Sequence, residues 1–239
     1  MKKVVWSLLF VPYLVGAEVA YSFFNLGLNY NSWRYSDFLY ISAEYGASWR
    51  WGEFYGNSNV QNPLRSYTDD RPSNLRLTMV NDFDVKLSES FRVHMQDYHL
   101  QSELYFVNDA VLGFSYKYVG EGLWFKPFIG AHYTHDTYFS GVNGYMSGWL
   151  VNYKFEILEE NFSLFQWNEI EFLRERSFYE ALDGTLKGDA KSYGLNGAIK
   201  CYWHPTKIIT TGVEYRYSKY KRGTKAFLSA LIYTAKYNF

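Results

Sequence analysis

Cysteine is all but missing from this chain of 239 residues: Cys201 is the one thiol. A secreted fold held together by disulfides is therefore excluded, and something else must stabilise it. Beyond the N-terminus no apolar run approaches the ~18 residues of a membrane helix, which excludes helical spans. Neither sign of charge predominates, with 24 Lys and Arg against 24 Asp and Glu. That balance excludes a basic nucleic-acid footprint and an acidic solvating chain. What the chain has in excess is aromatic residues, 21% of the total including 24 tyrosines, too many for an ordinary helical domain.

The first residues, MKKVVWSLLFVPYLVGAEVA, follow the layout of a secretory signal peptide. Lys2 and Lys3 form the positive region, Val4 to Gly16 the apolar stretch, and Val15-Gly16-Ala17 a small-residue cleavage site. The apolar stretch is interrupted by Pro12 and falls short of the ~20 residues that span a bilayer. The expected organisation is a signal peptide over 1–17 and a single domain over 18–239.

From Tyr21 onward the dominant period is two, recurring about twelve times in runs near the ~9–11 residues of a tilted membrane strand. Clear examples are FNLGLNY (24–30), FLYISAEY (38–45), LRLTMVNDFDV (75–85), VLGFSYKY (111–118), YGLNGAIKCYW (193–203) and IITTGVEYRYS (208–218). SWRWGEFYGN (48–57) also reads as a strand, with Glu53 on its apolar face. In 91–106 and 162–173 the alternation changes phase midway, which predicts a bulge in each.

The connections alternate too. Tight turns are expected at 46–47, 87–90, 107–109, 119–122, 158–161 and 204–205. Longer segments are expected at 31–36, 57–74, 135–145, 174–192 and 219–225. Short turns on one side and longer loops on the other are the mark of an outer-membrane barrel with an even strand number and both termini periplasmic. A soluble barrel or sandwich fits the period but not the signal peptide or the loop asymmetry.

The faces of the strands point the same way. One parity carries Leu112, Phe114, Tyr116 and Tyr118, then Trp149, Val151, Tyr153 and Phe155, then Ile209, Val213, Tyr215 and Tyr217. These belong against lipid, with Tyr and Trp near the turns as an interfacial girdle. The closing run AFLSALIYTAKYNF sets Leu231, Tyr233, Ala235, Tyr237 and Phe239 on that face. The other parity carries Glu44, Arg76, Asp82, Asp84, Lys200, Glu214, Arg216 and Lys236. Charges belong in the lumen, since a Lys or Arg at the lipid midplane costs ~2–4 kcal/mol. The fold class is therefore an all-β transmembrane antiparallel barrel of about twelve strands.

A search for enzymatic chemistry finds little. His132 and His135 are three apart, so on a strand they face opposite sides and cannot share a metal. No nucleophile elbow, P-loop, dinucleotide fingerprint or cysteine pair occurs. A barrel protease would need paired acids facing a His-Asp couple; Asp82 and Asp84 share a face, but His135 and Asp136 are adjacent and splay apart. A barrel phospholipase would need His and Ser two apart on a lipid-facing strand, and no suitable pair is found. Neither a catalytic residue nor a cofactor is expected.

The constellation that stands out is lumenal. Glu44, Arg76, Lys200, Glu214, Arg216 and Lys236 are the candidates for an ion-pair constriction. Phe38, Tyr40, Phe54, Phe128 and Tyr202 share the inward parity and are candidates for stacking a flat ring. For any single one of these aromatics, ordinary packing of a small, nearly full barrel is the better account.

The residues also carry a resemblance. YSDFLYISAEYGASWRWGEFYGNSNV resembles the second and third strands of the nucleoside-specific channel-forming (Tsx-type) outer-membrane proteins, an acidic, tyrosine-rich strand followed by an aromatic run ending in F-Y-G. MVNDFDVKLSESF, GYMSGWLVNYKFEI and TAKYNF resemble that family's next hairpin, a middle strand and the terminal strand, in the same order. The resemblance implies a monomeric twelve-stranded barrel in the outer membrane of a Gram-negative bacterium, passing nucleosides through a narrow, aromatic-lined lumen. It also implies phage or colicin receptor activity through the loops 57–74 and 174–192. A receptor or structural barrel with a closed lumen stays open beside the channel, and a barrel protease or lipase beyond both.

The processing site predicts cleavage between Ala17 and Glu18 during export through the periplasm. N-terminal sequencing of protein taken from the outer membrane should begin at Glu18, and a mature chain starting at Met1 would refute it.

Overall fold

In the computed structural model, which describes residues 19–33, 37–64, 75–180, 191–221 and 225–239, the period-two runs become strands. The first half holds β1 (Val19–Trp33), β2 (Phe38–Trp49), β3 (Gly52–Gln61), β4 (Arg76–Lys86), β5 (Phe91–Ser102) and β6 (Phe106–Tyr116). The second half holds β7 (Tyr118–Val119), β8 (Leu123–Asp136), β9 (Ser140–Ile157), β10 (Glu160–Phe172) and β11 (Gly194–His204). β12 (Ile209–Lys219) and β13 (Leu228–Asn238) complete the chain. The expected signal peptide, 1–17, lies outside the described residues.

Each strand pairs antiparallel with its sequence neighbours, and β13 returns to pair with β1 from Asn25↔Asn238 to Trp33↔Ala230. β6 and β7 both lie along β8, so they form one stave interrupted at Lys117. The result is a closed antiparallel barrel of 12 strands. Closure leaves no free edge, so strand backbone groups bond within the ring even where no water is present.

The alternation then sorts side chains by face. On β13, Ile232 is 0% exposed and Lys236 is buried, while Tyr233 between them is 49% exposed. Leu112, Phe114, Tyr116 and Tyr118 lie outward as expected. Near the short-turn end, rings cluster into a girdle: Phe239 lies 5.5 Å from Phe24 and 4.8 Å from Tyr237, and Phe155 stacks on both Tyr153 and Phe162. The terminal residue is also tied by its amide to the Phe24 carbonyl at 3.0 Å.

The five connections at the end that carries both termini are short, covering 50–51, 87–90, 120–122, 158–159 and 205–208. Leu158 and Glu159 both have positive φ (52° and 67°), the backbone of a two-residue hairpin turn matched to strand twist. At the opposite end the chain between strands is longer in places, 14 residues between β3 and β4 and 21 between β10 and β11, beside short connections at 103–105 and 137–139. By this asymmetry the short turns face the periplasm.

Several expectations need correction. The first hairpin turn is at 50–51 rather than 46–47, and β3 extends through 57–61, so the outer loop starts at Asn62. Residues 107–109 belong to β6 and 140–145 to β9. The turn-like residues there are lumenal instead: Thr134 donates to Asp109 at 2.8 Å, Asn143 to Thr134 at 3.1 Å, and Asn59 to Thr78 at 3.1 Å. β5 and β10 pair on both sides without a register shift, so neither carries a bulge. In β5 the phase changes because polar residues reach the outer face, where they satisfy one another laterally. Asn81 hydrogen-bonds Asp97, and His99 pairs with Asn108. In β10 the cause is the reverse, aromatics turning inward. The shifts that do occur lie between Val19 and Tyr21 and between Ala131 and Tyr133.

On the outer wall the Tyr45 ring folds over Gly56, its registered partner, and its hydroxyl reaches Ser58 at 3.1 Å and Asn81 at 3.2 Å. A methyl at Gly56 would fall inside that ring. Gly56→Ala should destabilise the barrel by about 1–3 kcal/mol through overpacking. Tyr45→Phe, which keeps the ring, should cost only about 1 kcal/mol. Urea midpoints of the folded protein in detergent micelles measure both, and a Gly56→Ala midpoint equal to the parent's would refute the packing argument.

Candidate functional site: a lumen of paired charges and aromatic rings

Strand periodicity places residues two apart on the same wall, so Glu214 and Arg216 of β12 both enter the lumen. Glu214 is buried, with Lys200 of the neighbouring β11 at 3.2 Å and Arg216 at 2.9 Å. Lys236 on β13 reaches past β1 to Glu44 on β2, its ammonium 2.7 Å from the carboxylate. Gly27 of β1 is the registered partner of Lys236, two residues from the Asn25 that pairs with Glu44, and with no side chain of its own it lets the lysine stem lie against the wall. The Lys236 ammonium also sits 4.1 Å from the Tyr202 ring centroid and donates to the hydroxyl at 3.0 Å. Of the six charged candidates, Lys200, Glu214 and Arg216 form one group, Lys236 takes Glu44 rather than Glu214, and Arg76 lies at the cavity wall.

A second cluster fills the β3–β8 side. Asp84 accepts from Lys126 at 2.5 Å, from Ser115 at 2.7 Å and from His94 at 3.0 Å. Glu53 pairs with Lys117 and lies 3.6 Å from Lys126. This corrects the placement of β3. Glu53 points inward, and Phe54 faces outward, paired with Ala47 and Phe83 and with its ring 5.9 Å from Tyr45. The charge decides the parity, because a carboxylate in hydrocarbon would lose both its hydration and its lysines. Phe54 is therefore not a stacking residue of the lumen.

At the outer end Glu169 and Glu171 take Lys221 at 3.1 and 3.0 Å. Burial opposes the ammonium of Lys221, but Glu171, Glu169 and Asp109 outweigh it and hold its pKa above the ordinary lysine range. Arg174 bonds Glu171 at 2.6 Å and donates to the carbonyls of Tyr220 at 2.7 Å and Lys221 at 2.8 Å. One buried guanidinium thereby links the two outer connections that follow β10 and β12.

Between these clusters lies a cavity of about 350 Å³. That is at the lower end of the ~300–1,000 Å³ of small-molecule sites. Phe38 and Arg76 line it, as does Phe128, which packs with Val111, Met146 and Leu150 into an apolar patch on the lumen wall. Tyr40 is buried beside Phe38, ring centroids 6.1 Å apart. Further aromatics line the cavity without having been expected there: Tyr55, Tyr98, Phe165 and Trp167, together with Trp149 and Tyr217, which the parity had set toward lipid. The signal for two of them was the phase change in 162–173, where Phe165 and Trp167 take the inward parity. Cations cap these rings, with Lys200 5.6 Å from the Phe165 centroid and Arg216 5.9 Å from that of Trp167. Asp82 also lines the cavity.

The barrel's likeness to solved structures extends over nearly its whole length. The NanC porin superposes with a TM-score of 0.52 at 15% identity, over 90% of this chain and 98% of that one. A KdgM porin in complex with disordered oligogalacturonate gives a TM-score of 0.52 at 11% identity, over 90% and 99%. At such identities the likeness concerns the fold, that of an outer-membrane porin barrel. The model of the family described as nucleoside-specific channel-forming protein, Tsx, matches residues 19–239, which takes in all the staves and the lumen they enclose. This chain belongs to the nucleoside-specific channel-forming protein family, Tsx, and is an outer-membrane channel for small solutes.

Proposed function

We propose that this channel passes nucleosides by passive diffusion, selecting them by lumen width, ring stacking and the cancellation of charge. The observation that carries the reading is the placement of Lys200 and Arg216 over Phe165 and Trp167 at the cavity wall, with both cations already paired to Glu214. A flat base offers the same face as those rings, and base–aromatic stacking is worth ~1–3 kcal/mol per base. Paired acids and bases leave little net field to draw ions, so a neutral solute gains most from such a lumen. No covalent chemistry is required. Closure of the ring within one chain at the β1–β13 seam supports a channel that works as a single copy.

The closed-lumen reading has one observation in its favour, the Arg174 clamp that ties the outer loops together above the cavity. In that case loops 62–75 and 174–192 would serve as a receptor surface for phage or colicin.

Purified protein in liposomes should admit uridine and adenosine faster than a disaccharide of similar mass. Arg216→Ala should widen the path, remove the cation above Trp167 and weaken that preference several-fold. Equal rates for nucleoside and disaccharide would reduce the protein to a general pore. No flux of either would favour the receptor.

A further inference from the structure

Two buried polar atoms at the inner end of the cavity have no hydrogen-bond partner among the described residues: Asp82 Oδ1 and His94 Nε2. They face each other at 4.0 Å, too far apart to bond directly. Asp82 lines the cavity, and the His94 ring lies 4.6 Å from that of Phe128, which also lines it. Leaving such atoms unpaired is costly in a folded interior, so the pair beside the cavity calls for a hydrogen-bonding group between them, a position a water can hold and a ligand group can take over.

The surroundings determine what that group must be. The Asp84 carboxylate takes hydrogens from Lys126 and Ser115 and faces His94 Nδ1 at 3.0 Å. A carboxylate only accepts, so His94 Nδ1 carries a proton and donates, and in the neutral imidazole Nε2 then holds a lone pair. Asp82 Oδ1 is an acceptor as well. Two acceptors 4.0 Å apart fit one nitrogen bearing two hydrogens, placed ~2.9 Å from each. Gln96 is the registered partner of Asp82 and lines the same cavity, so its carboxamide can donate to a neighbouring acceptor on the same ligand edge.

Resting on the nucleoside reading, we propose that Asp82, His94 and Gln96 form a subsite for an amino-bearing base. Asp82 and His94 accept from the exocyclic amino group, Gln96 donates to the adjacent ring nitrogen, and Phe128 supplies the apolar surface beside them. Adenosine and cytidine present that edge. Inosine and uridine present a carbonyl oxygen in the amino position, which would meet two acceptors.

The test compares matched pairs with the full-length protein in detergent micelles, by calorimetric titration, and in liposomes, by uptake. The folded protein should bind adenosine about tenfold more tightly than inosine, and cytidine about tenfold more tightly than uridine, the size of one lost hydrogen-bonding site. Asp82→Asn, which replaces one acceptor oxygen with a donor, should erase or invert both preferences. The wild-type comparison stands even where that variant fails to fold. Equal affinity within each pair, with all four solutes still bound and transported, overturns the subsite and leaves the nucleoside channel standing. An unchanged preference in folded Asp82→Asn overturns the role given to Asp82. Neither binding nor uptake of any of the four overturns the channel reading, and the subsite with it.

Discussion

Backbone hydrogen bonding in a medium without water is the constraint on which the rest of this structure depends. A strand in hydrocarbon must find partners on both sides, and only a closed ring supplies them to every strand. The β1–β13 pairing is the step that closes it. Once the ring closes, each stave has one face toward lipid and one toward an interior too narrow to be left to bulk solvent. The alternation of the sequence follows from that, and so does its chemical asymmetry, with Tyr233 and Tyr237 outside and Thr234 and Lys236 inside.

The interior must then satisfy itself. Ion pairs hold it in discrete clusters, three of which join staves that the ladder alone does not connect. Lys236 and Glu44 bridge across β1, Lys126 joins β8 to β3 and β4, and Lys221 joins the end of β12 to β10. Removing one member of such a pair would leave its partner as an uncompensated buried charge, typically a loss of ~3–5 kcal/mol. The clusters also set the bore. Their side chains occupy opposite sides of the lumen, and the cavity is the space left between them.

Much of this was legible in the sequence because period two is a strong signal when one solvent is lipid. The closing strand, the inward charges and the Lys200–Glu214–Arg216 cluster follow from alternation alone. Phe54 and Glu53 were misplaced because the aromatic-rich parity was taken as decisive, whereas the hairpin turn at 50–51 and two lysines from β8 and the β6–β7 break determine the face. No local window contains those lysines. The phase changes in 91–106 and 162–173 were real but had a cause other than bulges. Asp97 and His99 find lateral partners on the outer wall, and Phe165 and Trp167 turn in to line the cavity. A local rule ties polar residues to water and aromatics to lipid, and tertiary partners overrode it in both places.

A channel must bind well enough to select and weakly enough to release. The paired lumen meets both demands with one device. Arg216 and Lys200 share the Glu214 carboxylate, so on the proposed reading a passing solute would meet their flat or rounded cationic surfaces above aromatic rings while each cation keeps its acidic partner. Toward the periplasm the Lys236–Glu44–Tyr202 group stands on one wall of the lumen and the Lys126–Asp84 group on another. Both contain a lysine, whose four-carbon stem can swing an ammonium from one acceptor to another, whereas an aromatic ring locked in the wall cannot move aside. The rigid rings are therefore suited to recognising the solute, and the lysines to letting it through.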